Sequence, residues 1–224
     1  NYKRDVHRES EPGGPRDEYE DETWSVAVED TITLSPSLEM IAGVSWNRQE
    51  SIRADNRIDE DTVEQFDQGS DDAINLQLGA FWEPVADTEL HFTVGRKTRF
   101  PTIKDRYSFR FGSALPNPDL AAEEADNYEV GFERTGAMVR YGGNLFFSSL
   151  TDAIENVTLA DTACIRPPCF QLQNVEKQEN SGVELWADGD ATDTLLLHVD
   201  YTYLDRENVT NPDIRPVDTP EHKV

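Results

Sequence analysis

Apolar residues recur at every second position through much of the chain. Ile74, Leu76, Leu78, Ala80 and Trp82 are separated by polar or small residues such as Asn75, Gln77 and Gly79, and a period of two marks a strand with one apolar and one polar face. Leu90, Phe92 and Val94 repeat the pattern, as do Leu195, Leu197, Val199, Tyr201 and Tyr203. Weaker alternation at Trp24 to Val28, Met40 to Trp46, Tyr128 to Phe132, Val139 to Phe147 and Val183 to Ala187 predicts eight strands in all. Helical spacing is nearly absent. Asp119 to Ala125, rich in alanine and glutamate, is the one segment expected to make a helical turn or two.

The connections alternate between short and long. Ser35-Pro36-Ser37, Pro84 to Thr88, Thr135-Gly136 and Gly189 to Asp193 are short; Asn47 to Ser70, Phe100 to Asp126, Leu150 to Lys177 and Asp205 onward are long and acidic. Tight turns on one side and long loops on the other belong to an antiparallel up-and-down β-barrel in an outer membrane, whose strands put apolar residues on lipid and polar residues inside. Strands of about ten residues suit a tilted crossing of the hydrocarbon layer. If the first strand descends, Trp24, Trp46, Tyr128, Phe147, Tyr201 and Tyr203 form an aromatic girdle at the external interface, and Trp82 marks the periplasmic one. Asp30 resists this scheme, because it falls in the outward register between Val28 and Ile32; a bulge or an early strand end is expected there.

The chain has 224 residues, with 45 acidic and 20 basic side chains and a formal net charge of −25. This acidic excess argues against nucleic acid as a partner, since phosphate binding begins with a basic patch. No apolar run is long enough for a transmembrane helix, and the polar start without an initiator methionine reads as a mature product or an excised piece. Mean hydropathy is low, yet four tryptophans, seven tyrosines and ten phenylalanines in regular clusters argue against disorder.

Several segments, in order, resemble the barrel of TonB-dependent outer-membrane receptors. They are Arg99-Phe100-Pro101-Thr102; Asn117-Pro118-Asp119-Leu120; Glu123 to Asn127 leading into Tyr128-Glu129-Val130-Gly131; and Asn174-Val175-Glu176 followed by Ser181-Gly182-Val183-Glu184-Leu185. Tyr201-Thr202-Tyr203-Leu204-Asp205 and the closing Pro220-Glu221-His222-Lys223-Val224, as the start of a further strand, also fit. The resemblance implies a Gram-negative outer-membrane location with lipid around the barrel, and uptake of a scarce small-molecule ligand such as a ferric siderophore or a cobalamin-like compound. It also implies coupling to TonB through a plug domain. Plug, TonB box and terminal aromatic strand are not found in this sequence. Residues 1–22 are therefore read as an extracellular loop or the end of a preceding strand, and 23–224 as a partial barrel wall. The large transporters close at about 22 strands, so eight strands make a fragment. A small closed barrel with a structural or adhesive role is the alternative, and a secreted carbohydrate-binding β-sandwich is a third reading; pairing of the first strand with the last discriminates the first two.

Candidate chemistry is sparse. Cys164 and Cys169, in Cys-Ile-Arg-Pro-Pro-Cys, are expected to form a disulfide in an external loop, since their spacing suits neither a redox pair nor a zinc site. The acidic stretch Asp55 to Asp72 fails the EF-hand spacing at Arg57 and Val63 and reads as a solvated loop. The four histidines are scattered, with His91 and His198 in the lumen-facing register. With no nucleophile, phosphate-loop or metal motif, neither an enzyme nor a cofactor is expected. Arg96, Lys97, Arg99, Lys104, Arg106 and Arg110 form the densest basic group. Of these Arg96, Arg99, Lys104, Arg106 and Arg110, together with Tyr107, are the candidate contacts for an anionic ligand, against the plainer reading of pairing with acidic loops or lipid phosphates. Tyr107, Phe109 and Phe111 alternate along the same loop, where packing within the loop competes with stacking on a ligand.

Overall fold

The computed structural model describes residues 1–10, 14–57, 61–192, 194–210, 212 and 220–224, apart from the side chains of Phe111, Asp161, Glu176 and Ala191. It is an antiparallel all-β sheet. The strands are β1 (Tyr2–Glu9), β2 (Asp17–Ser35), β3 (Leu38–Arg57), β4 (Val63–Gln65), β5 (Ser70–Val85), β6 (Thr88–Arg99), β7 (Glu123–Thr135), β8 (Val139–Leu159), β9 (Cys169–Thr192), β10 (Leu195–Asn208) and β11 (His222–Lys223). Each pairs with its sequence neighbour, except that β3 pairs with both β5 and the short β4. Among the described residues no pairing joins β1 to β10 or β11, so the sheet is an open section of barrel wall.

All eight expected strands are present, but they run further than expected. β2, β3, β8 and β9 span 19, 20, 21 and 24 residues, so much of the connections Asn47 to Ser70 and Leu150 to Lys177 is strand. Residues placed in a loop or preceding strand end also pair: β1 lies against β2 from Tyr2↔Trp24 to Glu9↔Asp17, and β2 runs unbroken through position 23. The helical expectation for Asp119 to Ala125 is wrong, because Glu123 to Ala125 already pair with β6, and Glu124 and Ala125 with β8 as well. The helix is α1 (Ile103–Tyr107) instead, where Thr102 and Asp105 form a reciprocal capping box.

Register separates the two faces. Val26↔Trp46↔Ile74, Val28↔Val44↔Leu76, Val94↔Tyr128↔Phe147 and Leu185↔Tyr201 all lie outward. The outward side chains are exposed in the monomer, Val26 at 64 % and Val28 at 67 %, so the sheet's apolar face meets no protein core. A sandwich would have buried it. Trp24, Trp46, Trp82, Tyr128, Phe147, Tyr201 and Tyr203 all occupy this outward register. The apolar run from Leu38 to Trp46, and that from Ile74 to Trp82, has the length of one tilted crossing.

On the same face, the band ends where charge begins. Arg48 pairs with Asp72 at 3.1 Å above Trp46, and Arg96 forks onto Asp126 at 2.8 Å above Val94. Asp30 stays in unbroken register opposite Ala42, so no bulge or strand end removes it from the outward face. The inward face is polar and carries close approaches: a Cβ on Gly131 would run into the Asn144 amide and the His91 ring, which is why that inward position has no side chain.

Candidate functional site

Beyond Trp24 and Trp46, the strands continue as a cuff. Asp17–Thr23 adds roughly 20 Å at about 3.4 Å per residue. The connection between β6 and β7 does not stand clear of this cuff but folds back onto its inward face. Ile103, Arg106 and Tyr107 are the buried stripe of α1, the i, i+3, i+4 face of one helical turn. Ile103 and Tyr107 close a small core with Tyr19 and Ala54, on which Phe66 packs.

Aromatic rings line up through this core. His7 stacks on Tyr19 (6.0 Å between centroids), Tyr19 on Tyr107 (5.7 Å, 2° between planes), and Tyr107 on Phe66 (5.9 Å). The Tyr107 hydroxyl donates to the Asp67 carbonyl at 3.3 Å, and the Ser108 hydroxyl donates to Glu9 at 3.2 Å. Burial, joined by the nearby Asp17, Glu9 and Asp55 carboxylates, pushes the Tyr19 hydroxyl well above the usual tyrosine range. Tyr19 is therefore neutral at any physiological pH.

A second segment completes the arrangement. Cys164 and Cys169 are joined, with Cα atoms 5.3 Å apart. Their loop is laced to the loop after α1 by Arg166 N–H to the Gly112 carbonyl (2.8 Å), Phe170 N–H to Ser113 (3.1 Å) and Leu115 N–H to Phe170 (2.8 Å). Between this pair of loops and the cuff lies a cleft of about 660 Å³, within the range of small-molecule sites. Its walls include Pro15, Phe66, Phe109, Leu115, Pro116 and Ile165, with Asp17, Asp55 and Arg57 as the charged members. Arg57 is bonded to Asp17 at 2.9 Å. Burial works to raise the Asp55 carboxyl, but bonds from Arg53, Gln65 and the Glu18 N–H outweigh it and hold the group below its ordinary value.

The six candidate ligand contacts are not brought together. Arg96 faces outward, bonded to Asp126 and 3.0 Å from Glu124. Arg99 forks onto Glu123 and lies 3.5 Å from Asp105. Arg106 is buried, donating to the Leu120 carbonyl (3.1 and 3.0 Å) and to Asp71. Tyr107 is buried in the ring stack and borders the cleft; Lys104 and Arg110 are exposed and lie outside its lining. The Phe111 side chain lies outside the described residues. Residues absent from the sequence-based set, Tyr19, Phe66, Asp17 and Asp55, form much of the wall. Extending the inward register of β2 backward from Ser25 would have found Tyr19 and Asp17. Among the described residues, no group of three or more histidine, cysteine, aspartate or glutamate side chains is placed to hold a metal ion.

The family described as "TonB dependent receptor-like, beta-barrel" matches residues 2–224. None of the curated proteins compared matches. Among solved structures, the copper transporter OprC shares 16 % identity over 91 % of this chain and 32 % of its own, with a TM-score of 0.71. The hemophore receptor HasR of Serratia marcescens, solved with its hemophore HasA and heme, shares 17 % over 92 % and 41 %, with a TM-score of 0.68. The ferric yersiniabactin uptake receptor FyuA of Yersinia pestis shares 18 % over 86 % and 28 %, with a TM-score of 0.65. At these identities the likeness is one of fold, and the chain spans about a quarter to two fifths of the length of these relatives.

Proposed function

The chain belongs to the TonB-dependent receptor-like β-barrel family, and from that premise we propose that it is part of the wall of an outer-membrane receptor for a scarce nutrient. The observation that carries this reading is the outward apolar band, one tilted crossing tall and bounded on the outer side by paired charges. Such a face is stable against lipid and not against water. Above it, the cuff and its folded-in loops form a cleft open to the exterior, where a nutrient complex such as a ferric siderophore or a cobalamin-like compound first binds.

The remaining steps are assigned to the whole receptor: a plug within the barrel, contact with TonB, and energy drawn from the inner membrane. No catalytic step is involved. The relatives named above are an iron-complex receptor, a hemophore receptor and a copper transporter, which supports a scarce nutrient as cargo. The test is fractionation combined with growth. The protein should sediment with the outer membrane, and its deletion should impair growth under limitation of the nutrient it carries. Recovery in a soluble fraction would overturn the reading.

A further inference from the structure

The charges on the cleft wall cancel in pairs. Asp17 accepts from Arg57 at 2.9 Å. Asp55 takes a fork from Arg53 (3.0 and 3.1 Å), a bond from the Gln65 amide (2.8 Å) and one from the Glu18 N–H (2.9 Å). Two carboxylates thus meet two guanidiniums. The basic residues of the neighbouring loop are held in the same way, Arg99 by Glu123 and Arg106 by Asp71, or lie outside the lining, as Lys104 and Arg110 do. A charged ligand of either sign would give up its water in this cleft without meeting an opposite charge that is unmatched.

Much of the remaining wall is ring and alkyl surface, from Phe66, Phe109, Leu115, Pro116 and Ile165. Tyr19 adds a polar group of a different kind. It is 1 % exposed and stacked on His7 and Tyr107, and among the described residues its hydroxyl has no hydrogen-bond partner. The charges that act on this hydroxyl include Asp17, Asp55 and Arg57, all three on the cleft wall, so it lies on the cleft side of the ring stack. Burial keeps it protonated. It is therefore an uncharged donor, fixed by stacking, whose bond is left unmade; such a group is costly until an acceptor reaches it.

We propose that the cleft between the cuff, the loop after α1 and the disulfide loop binds an uncharged ligand with a flat ring face and a carbonyl-type acceptor. The ring packs on the apolar wall, and the acceptor takes the hydrogen bond of the Tyr19 hydroxyl. An apolar surface supplies affinity in such a site, and a single placed donor sets orientation. This rests on the receptor reading and narrows it: among nutrient complexes, uncharged ones are selected and charged ones of either sign are rejected.

The test uses the protein purified from its native membrane in detergent, titrated with three probes that share one ring system and differ in charge: dimethylnaphthamide, naphthoate and naphthylmethylammonium. Binding is followed by ligand-observed NMR. The uncharged amide should bind about tenfold more tightly than either ion, and added sodium chloride should not weaken it. Leu115→Trp, which fills the cleft, should abolish this binding and so give the background from probe dissolved in micelles. Tyr19→Phe keeps the stacked ring and removes the donor; it should weaken the amide about fivefold, with the fold retained by tryptophan fluorescence. Equal or tighter binding of either ion overturns the proposal, as does amide binding that Leu115→Trp or Tyr19→Phe leaves intact. Fractionation of the same preparation keeps the two ideas apart: an outer-membrane protein that prefers an ion sinks the selection of uncharged ligands alone, whereas a soluble protein sinks the receptor reading whichever probe it prefers.

Discussion

The guanidinium of Arg106, on the buried side of α1, is bonded to the carboxylate of Asp71 at the head of β5, with the Leu120 carbonyl taking two further donor bonds. The Arg106 side chain is 2 % exposed and that of Asp71 19 %. One residue thus ties the start of the long external loop, its end and the barrel wall together.

Removing one partner of such a buried pair leaves the other charge unsatisfied, at a cost of about 3 kcal/mol. Arg106→Ala should therefore release the segment from Phe100 to Leu120. Hydrogen exchange of these amides should quicken more than tenfold while the β5 to β10 ladder within the apolar band keeps its protection. Asp71→Asn should show the same local effect, because it leaves the more deeply buried Arg106 guanidinium without its carboxylate.

Asp30 has its side chain in the outward register, opposite Ala42 and between Val28 and Ile32. A carboxylate on a lipid face costs less than an arginine there, about 1 kcal/mol or somewhat more. Asp30→Val should raise unfolding stability in lipid vesicles by about that amount, read from the denaturant midpoint. No change would mean that Asp30 does not face hydrocarbon.

Glu123 couples pH to the loop. Burial raises its carboxyl, but the bond from Arg99 and the N–H of Ile154 outweigh this, so it ends below its ordinary value. A depressed carboxylate contributes stability that is present above its unfolded value, near 4.5, and lost as pH falls through the folded one. Protease sensitivity of the loop should rise on acidification through that window, and Glu123→Gln should flatten the acid limb.

Gly131 is a steric requirement. A Cβ there would collide with Asn144 and His91 on neighbouring inward positions. Gly131→Val should cost about 2 kcal/mol by overpacking, and His91→Ala should recover part of it in the double variant.

The alternation of Ile74 to Trp82 was enough to set the face of β5, because a lipid boundary leaves no room for error on one side of a strand. Strand lengths were not legible in the same way. Beyond Trp24 and Trp46 the outward face of β2 and β3 carries Glu20, Glu22, Arg48 and Glu50, so alternation of hydrophobicity stops although pairing does not. The ladder there is held by backbone bonds and cross-strand ion pairs such as Arg4 with Glu20 and Arg8 with Glu18. The helix was misplaced for a related reason. Alanine and glutamate favour a helix in isolation, but Glu123 to Ala125 lie between two strands that supply a ladder, and tertiary pairing overrides propensity.

The cleft was hidden because its residues are far apart in the chain. Tyr19, Phe66 and Tyr107 meet only once the loop after β6 folds inward, and no local pattern announces that. The density of arginines pointed toward an anion because their carboxylate partners, Glu123, Asp126 and Asp71, come from other strands.

The most direct test of a lipid-facing wall is a spin-label scan of β5 in lipid vesicles, from Ala73 to Val85, comparing collision with oxygen and with a water-soluble nickel complex. Labels at positions 74, 76, 78, 80 and 82 should be reached by oxygen and shielded from nickel, and those at 75, 77, 79 and 81 should show the reverse. Nickel access at the even positions, or loss of the two-residue period, would contradict a membrane-spanning strand.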